Sequence, residues 1–251
     1  MTPDKKYNIK VFPTDDELNK AAAEFIIAIA NKSIAARGRF TISLSGGQTP
    51  EKLYSLLAEP SFREQIDWSR TLIFWGDERC VSLDDEQNNA YRAKELLLDK
   101  NDIPASNIYR IPVNLPPEEA STEYEKEIFA FFNEEVPRFD IILLGLGENG
   151  HTASLFPKTK VINEQAEGVR AVFVEEEKMF RVTMTAPLIN RAHNILFLVT
   201  GEKKVQILAK VLYGSYQPKT YPAQLIKPFD GDLFWFIDEA AASLIADRNK
   251  L

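Results

Sequence analysis

Between positions 15 and 36 apolar side chains recur every three or four residues, with Leu18, Ala22, Phe25, Ile26 and Ile29 on one face. That spacing predicts an amphipathic helix, and Gly38 marks its end. The next apolar run, 40–44, is too short for a helix and reads as a strand. Thr49 and Pro50 then supply an N-cap and a first helical residue for a helix reaching about position 57. The alternation continues with a strand over 71–75, a helix over 88–98, a helix over 118–132 that stops before Pro137, and an apolar strand over 141–144. After an irregular stretch come strand-like runs at 171–174, 181–185 and 195–199, a helix over 203–212, a strand over 233–237 and a closing helix over 239–246. Strands alternating with helices of about ten or more residues predict an α/β fold: a mainly parallel sheet with helices on both faces. No internal repeat, low-complexity tract or long linker divides the chain, and the proline-rich patches at 112–117 and 218–228 are short enough for surface loops. Residues 1–251 therefore read as a single α/β domain.

Composition narrows the function. Apolar residues make up 45% and charged residues 27%, enough to bury a large core. The net charge of -7 argues against nucleic acid or an anionic membrane as partner, since both need a basic face. A phosphate ligand must then be held by a few local cations. The single cysteine, Cys80, rules out an intrachain disulfide and fits a reducing compartment; it reads as an apolar filler near a strand end rather than a nucleophile. The first ten residues lack the apolar stretch of a signal peptide, and residues 21–30, interrupted by Glu24, are too short to span a bilayer. A cytoplasmic protein is expected.

In an open parallel sheet, ligands bind beyond the carboxyl ends of the strands, and three predicted strands end in chemically loaded loops. The first is Ser45-Gly46-Gly47-Gln48-Thr49-Pro50, where two glycines before a helix can leave backbone N–H groups facing an anion. The second is Gly76-Asp77-Glu78-Arg79, in which Arg79 either joins a surface ion pair or clamps a phosphate or carboxylate. The third runs from Gly145 through Gly147, Asn149 and Gly150 to His151. Its G-x-G-x-x-G spacing invites a dinucleotide site, but that fingerprint needs a long helix from the third glycine, and Pro157 with the unpatterned stretch 158–170 denies one. His151 reads instead as a proton carrier or a structural histidine. The other histidine, His193, precedes a strand and falls on the edge away from the site. Arg181 and Lys204, near strand ends, are further candidate cations.

Ser-Gly-Gly-Gln-Thr-Pro at 45–50, Asp-Glu-Arg-Cys-Val at 77–81, Gly-His-Thr-Ala-Ser-Leu-Phe-Pro at 150–157, Arg-Val-Thr-Met-Thr at 181–185 and Gly-Glu-Lys-Lys at 201–204 occur in the order of one family. Together they resemble the 6-phosphogluconolactonase family. The resemblance implies a fold like that of glucosamine-6-phosphate deaminase and ribose-5-phosphate isomerase. It also implies hydrolysis of 6-phospho-D-glucono-1,5-lactone to 6-phosphogluconate, with no metal and no cofactor. It implies His151 as general base, with a pKa near its ordinary value of about 6.5. Ser45, Gly46, Gly47, Asp77, Arg79, Asn149, Arg181 and Lys204 are implied to bind substrate. The expected partner is a small sugar phosphate, with neither nucleic acid nor membrane, and the chain a monomer or weak homo-oligomer. Two positions depart from the family: Asn149 stands where Asp is frequent, and Ser82 where Pro is. An Asp would orient the imidazole and raise its pKa; Asn hydrogen-bonds but adds no charge. An amino-sugar phosphate deaminase or isomerase of the same fold is the rival enzyme, but 154–156 lacks the acid such enzymes place after the Gly-His pair. A non-catalytic sugar-phosphate sensor is the rival outside enzymes.

Overall fold

A computed structural model of the protein describes residues 8–133 and 136–245. The chain opens with strand β1 (Asn8–Phe12) and helix α1 (Asp15–Arg37), then β2 (Phe40–Leu44), α2 (Gln48–Leu57), α3 (Pro60–Arg63) and β3 (Thr71–Trp75). Next come β4 (Asp77–Arg79), α4 (Asn89–Leu96), α5 (Pro117–Phe131), β5 (Ile141–Leu144), β6 (Val169–Val174) and β7 (Met179–Met184). The last elements are α6 (Ala186–Ile189), β8 (Asn194–Val199), α7 (Val205–Tyr213), β9 (Asp232–Asp238) and α8 (Glu239–Ala242).

Local chemistry accounts for the long elements. Thr14 caps α1 by accepting the Glu17 N–H at 3.2 Å, three acids fill its first turn, and Gly38 closes it in the left-handed region. Six strands form a parallel sheet in the order β1-β9-β8-β5-β2-β3. Every residue of β2, β3 and β5 is buried, so both faces of the sheet centre are covered, as the continuous apolar runs imply. Asp140 locks β5 beside β2: its carboxylate accepts from the Thr41 N–H at 2.7 Å and the Thr41 hydroxyl at 3.0 Å, and pairs with Arg37.

From β2 the chain steps outward to β3, whereas from β5 it steps the other way, to β8 and then β9. The crevice between the departing loops of β2 and β5 is the switch point where such sheets bind ligands.

Several expectations are corrected. The strands near 171–174 and 181–185 do not enter the parallel sheet; with β4 they form a separate antiparallel sheet, β4-β7-β6. The charged segment 77–79 is therefore a strand rather than a loop. β1 was not expected, because a half-exposed edge strand of five residues carries little apolar signal. The N-cap of α2 is Gly47, not Thr49; the Thr49 hydroxyl instead meets that of Thr200 at 2.7 Å. The closing helix ends at Ala242, and Ala246, like residues 1–7 of the N-terminal segment, lies outside the described residues. Among the described residues no helix is long and apolar enough to cross a membrane.

Candidate active site

The loops leaving β2, β5 and β8, with β4, β7 and the turn after β6, enclose a cavity of about 720 Å³. All nine residues singled out from the sequence, Ser45, Gly46, Gly47, Asp77, Arg79, Asn149, His151, Arg181 and Lys204, lie in its wall. His193 and Cys80 do not. His193 sits before β8, with its N–H on the Phe139 carbonyl at 2.8 Å, and burial pushes the Cys80 thiol up to about 11.

The first wall is the turn into α2. The buried Tyr54 hydroxyl donates to the Ser45 carbonyl at 2.6 Å and accepts the Ser45 N–H at 2.9 Å, pinning the end of β2 to the helix. Gly46 has no room for a side chain, since a Cβ would lie 1.9 Å from Asn89 Oδ1. The start of α2 carries no side-chain cap, so its first N–H groups remain available to an anion. The Thr49–Thr200 contact ties that helix start to the β8 exit, which leads to Lys204. Partial burial lowers the Lys204 pKa, and its ammonium has no ion pair or side-chain hydrogen bond among the described residues.

The second wall carries His151. Its ring lies over Gly147, where a Cβ would come within 2.1 Å of Nδ1, and stacks on Phe156 with centroids 3.9 Å apart and planes 19° from parallel. Nδ1 is 2.7 Å from Asn149 Oδ1, which also accepts the His151 backbone N–H at 3.1 Å. An amide oxygen only accepts, so the proton sits on Nδ1 and the lone pair on Nε2. Burial, followed by the Arg181, Lys204 and Arg79 cations, pushes the His151 pKa down to about 3. The expectation of a value near 6.5 is thereby corrected, and the ring is neutral at physiological pH.

The third wall is cationic. Arg79 Nη1 donates to the Gln87 carbonyl and to Asn89 Oδ1, each at 2.8 Å. Arg181, only 6% exposed, pairs with Glu177, lies 3.8 Å from Asp77 and sits over the Phe156 ring, its Cζ 5.3 Å from the centroid. The Nε–H groups of both arginines are buried without an acceptor among the described residues. Buried unpaired donors are costly, a cost the folded site carries to hold both guanidinium groups in place. Asp77 lines the cavity but is nearly buried; its carboxylate takes the Ser154 hydroxyl at 2.6 Å and so holds the His151 loop against β4.

The sequence did not point to Asn89, Phe156, Glu176 or Glu177. Glu78 accounts for the place of Asn89: its buried carboxylate accepts the Asn89 N–H at 2.7 Å and the Ala90 N–H at 2.8 Å, fixing the start of α4. Burial pushes Glu78 up to about 7 against those bonds. Phe156 stood inside a quoted motif, but nothing local marks it as the platform under the imidazole. Glu176 and Glu177 sit on the β6–β7 turn, where exposed acids are ordinary.

The site offers a neutral imidazole whose Nε2 has no partner among the described residues, several cations and a helix start, an arrangement suited to proton transfer on an anionic substrate. The sequence profile of the family "Glucosamine-6-phosphate isomerases/6-phosphogluconolactonase" matches residues 13–235. The chain is 43% identical over 215 residues to the 6-phosphogluconolactonase of Synechocystis sp., covering 84% of this chain and 86% of the relative. A solved 6-phosphogluconolactonase from Trypanosoma cruzi superposes with a TM-score of 0.85 at 29% identity, covering 96% of this chain and 97% of that one. A monomeric glucosamine-6-phosphate deaminase shares the fold, with a TM-score of 0.81 at 22% identity over 94% of this chain and 99% of that one.

Proposed function

The chain belongs to the family of glucosamine-6-phosphate isomerases and 6-phosphogluconolactonases, and we infer that it is a 6-phosphogluconolactonase. It hydrolyses 6-phospho-D-glucono-1,5-lactone to 6-phosphogluconate, a step of the oxidative pentose phosphate pathway. The observation that carries the chemistry is one cavity holding a neutral His151, whose Nε2 has no partner among the described residues, beside the Arg79, Arg181 and Lys204 cations.

In this reading His151 Nε2 takes a proton from water as the water oxygen bonds to the lactone carbonyl carbon. Donors in the cavity wall stabilise the developing oxyanion. The bond from that carbon to the ring oxygen then breaks, the imidazolium returns its proton to the leaving oxygen, and the product acid ionises. A δ-lactone is already an activated ester, so no covalent nucleophile is needed. Lys204 and the uncapped start of α2, with Ser45, Gly46 and Gly47, take the 6-phosphate, and Arg79 and Arg181 close the cationic wall around the ring. Substrate charge cancels part of the field that depresses His151 and so raises its basicity when the site is filled.

A single α/β domain, acting in the cytoplasm as a monomer or weak homo-oligomer on a small sugar phosphate, without nucleic acid, completes the proposal. The deaminase reading lacks its acid after His151: Ser154, Leu155 and Phe156 are all buried, and Ser154 is bonded to Asp77. The test is a lactonase assay on purified protein. His151→Ala is expected to lower kcat by about 10²–10⁴ while 6-phosphogluconate still binds. Turnover of wild type no faster than spontaneous ring opening refutes the enzyme; binding without turnover favours the sensor.

A further inference from the structure

Asn149 replaces the carboxylate expected beside His151, and an amide poses a problem that a carboxylate does not. Both oxygens of an Asp accept hydrogen bonds, so either can take the Nδ1–H. The Asn amide can turn end for end with little change of shape. Turned, it would aim its NH2 at Nδ1 and force the ring proton onto Nε2, removing the lone pair that the reaction needs.

Two contacts oppose that turn. One is the His151 backbone N–H on Asn149 Oδ1, at 3.1 Å. The other comes from the far wall of the cavity, where Glu176, on the β6–β7 turn, accepts from Asn149 Nδ2 at 3.0 Å. An ionised carboxylate only accepts, so the NH2 must face it and the oxygen must face His151. In the turned amide the oxygen would meet the Glu176 carboxylate while the NH2 met an N–H, two repulsions in place of two bonds.

We propose that Glu176 is a positioning residue: through Asn149 it holds His151 in the tautomer that leaves Nε2 free. The carboxylate missing at position 149 is thus supplied one amide farther away. Once His151 is protonated, the Glu176–Asn149–His151 chain also places a negative group in line with the imidazolium. The inference rests on His151 being the base.

The test measures kcat and KM for wild type, Glu176→Ala, Glu176→Gln, Asn149→Asp and the double variant Asn149→Asp/Glu176→Ala, with the 15N shifts of the His151 ring. Glu176 is exposed on its turn, so these changes leave the core intact. Glu176→Ala is expected to lower kcat about tenfold with KM within about twofold, and to move the ring shifts toward a mixture of tautomers. Glu176→Gln, whose carbonyl still accepts the amide N–H, is expected to recover most of the rate. In the Asn149→Asp background the loss from Glu176→Ala is expected to vanish. Equal losses in both backgrounds, no recovery by Gln, or an unshifted tautomer with unchanged kcat overturns the inference. His151→Ala separates the two layers: full activity in that variant overturns the base reading, whereas its inactivity beside an unaffected Glu176→Ala overturns only the role of Glu176.

Discussion

Arg79 and Arg181 are direct partners across the β4–β7 pair, two cations at one register position of an antiparallel sheet. Like charges placed opposite each other weaken a sheet. Here Glu177 and Asp77 flank Arg181, and the Gln87 carbonyl and Asn89 take one nitrogen of Arg79. Both arginines still line the cavity as cations, their Nε–H groups buried and without an acceptor among the described residues. Binding of 6-phosphogluconate should therefore raise the Tm of wild type, by about 5–10 °C at a hundredfold excess over Kd. Arg181→Ala is expected to lose most of that shift and to raise KM about tenfold or more. A full shift in Arg181→Ala would remove the arginine from the binding site.

The depressed pKa of His151 sets a pH signature. A folded value near 3, below the ordinary value near 6.5, means that the ring stays neutral as pH falls through 6.5. The stability it contributes is present above 6.5 and lost as pH drops from there toward 3. An NMR titration of the free protein should show no protonation of the His151 imidazole between pH 7 and about pH 5. Adding 6-phosphogluconate brings negative charge among the three cations, so the ring pKa should rise. A His151 titration centred near 6.5 in the free protein would contradict this reading.

Gly46→Ala tests the backbone of the first wall. The new Cβ would meet the Asn89 amide at 1.9 Å, and Asn89 is what holds Arg79 and bonds the Asp77 carbonyl. Displacing it should raise KM about tenfold, by misplacing Arg79, and lower the unfolding midpoint through the lost buried Asn89 bonds, while circular dichroism keeps the wild-type signature. A variant with wild-type KM would show that the Arg79–Asn89 bond is dispensable.

Asp140→Ala should act on stability alone. It strips acceptors from the buried Thr41 N–H and hydroxyl and from Arg37, at the end of the sheet opposite the cavity. A loss of about 2–4 kcal/mol in urea unfolding is expected, with kcat and KM of the folded fraction retained. Catalytic loss without destabilisation would be the wrong outcome.

By itself, the sequence determined whatever depends on near neighbours in the chain. Hydrophobic spacing marked α1, α5 and the apolar strands β2, β3, β5 and β8, because periodicity records which face is buried regardless of what covers it. The glycine-rich turns before Gln48 and His151, and the charged run at 77–79, were visible for the same reason. Tertiary structure alone decided the rest. Nothing in Asp-Glu-Arg says strand; β4 exists because its backbone groups pair with β7, a hundred residues away in sequence. The Thr49 N-cap failed because the helix starts at Gly47, leaving the Thr49 hydroxyl to bond Thr200 of a distant strand. The pKa of His151 moved because folding buries the ring and, second, brings the Arg181, Lys204 and Arg79 cations near it from separate parts of the chain. Charge acts through space, and the distances that govern it exist only once the chain has folded.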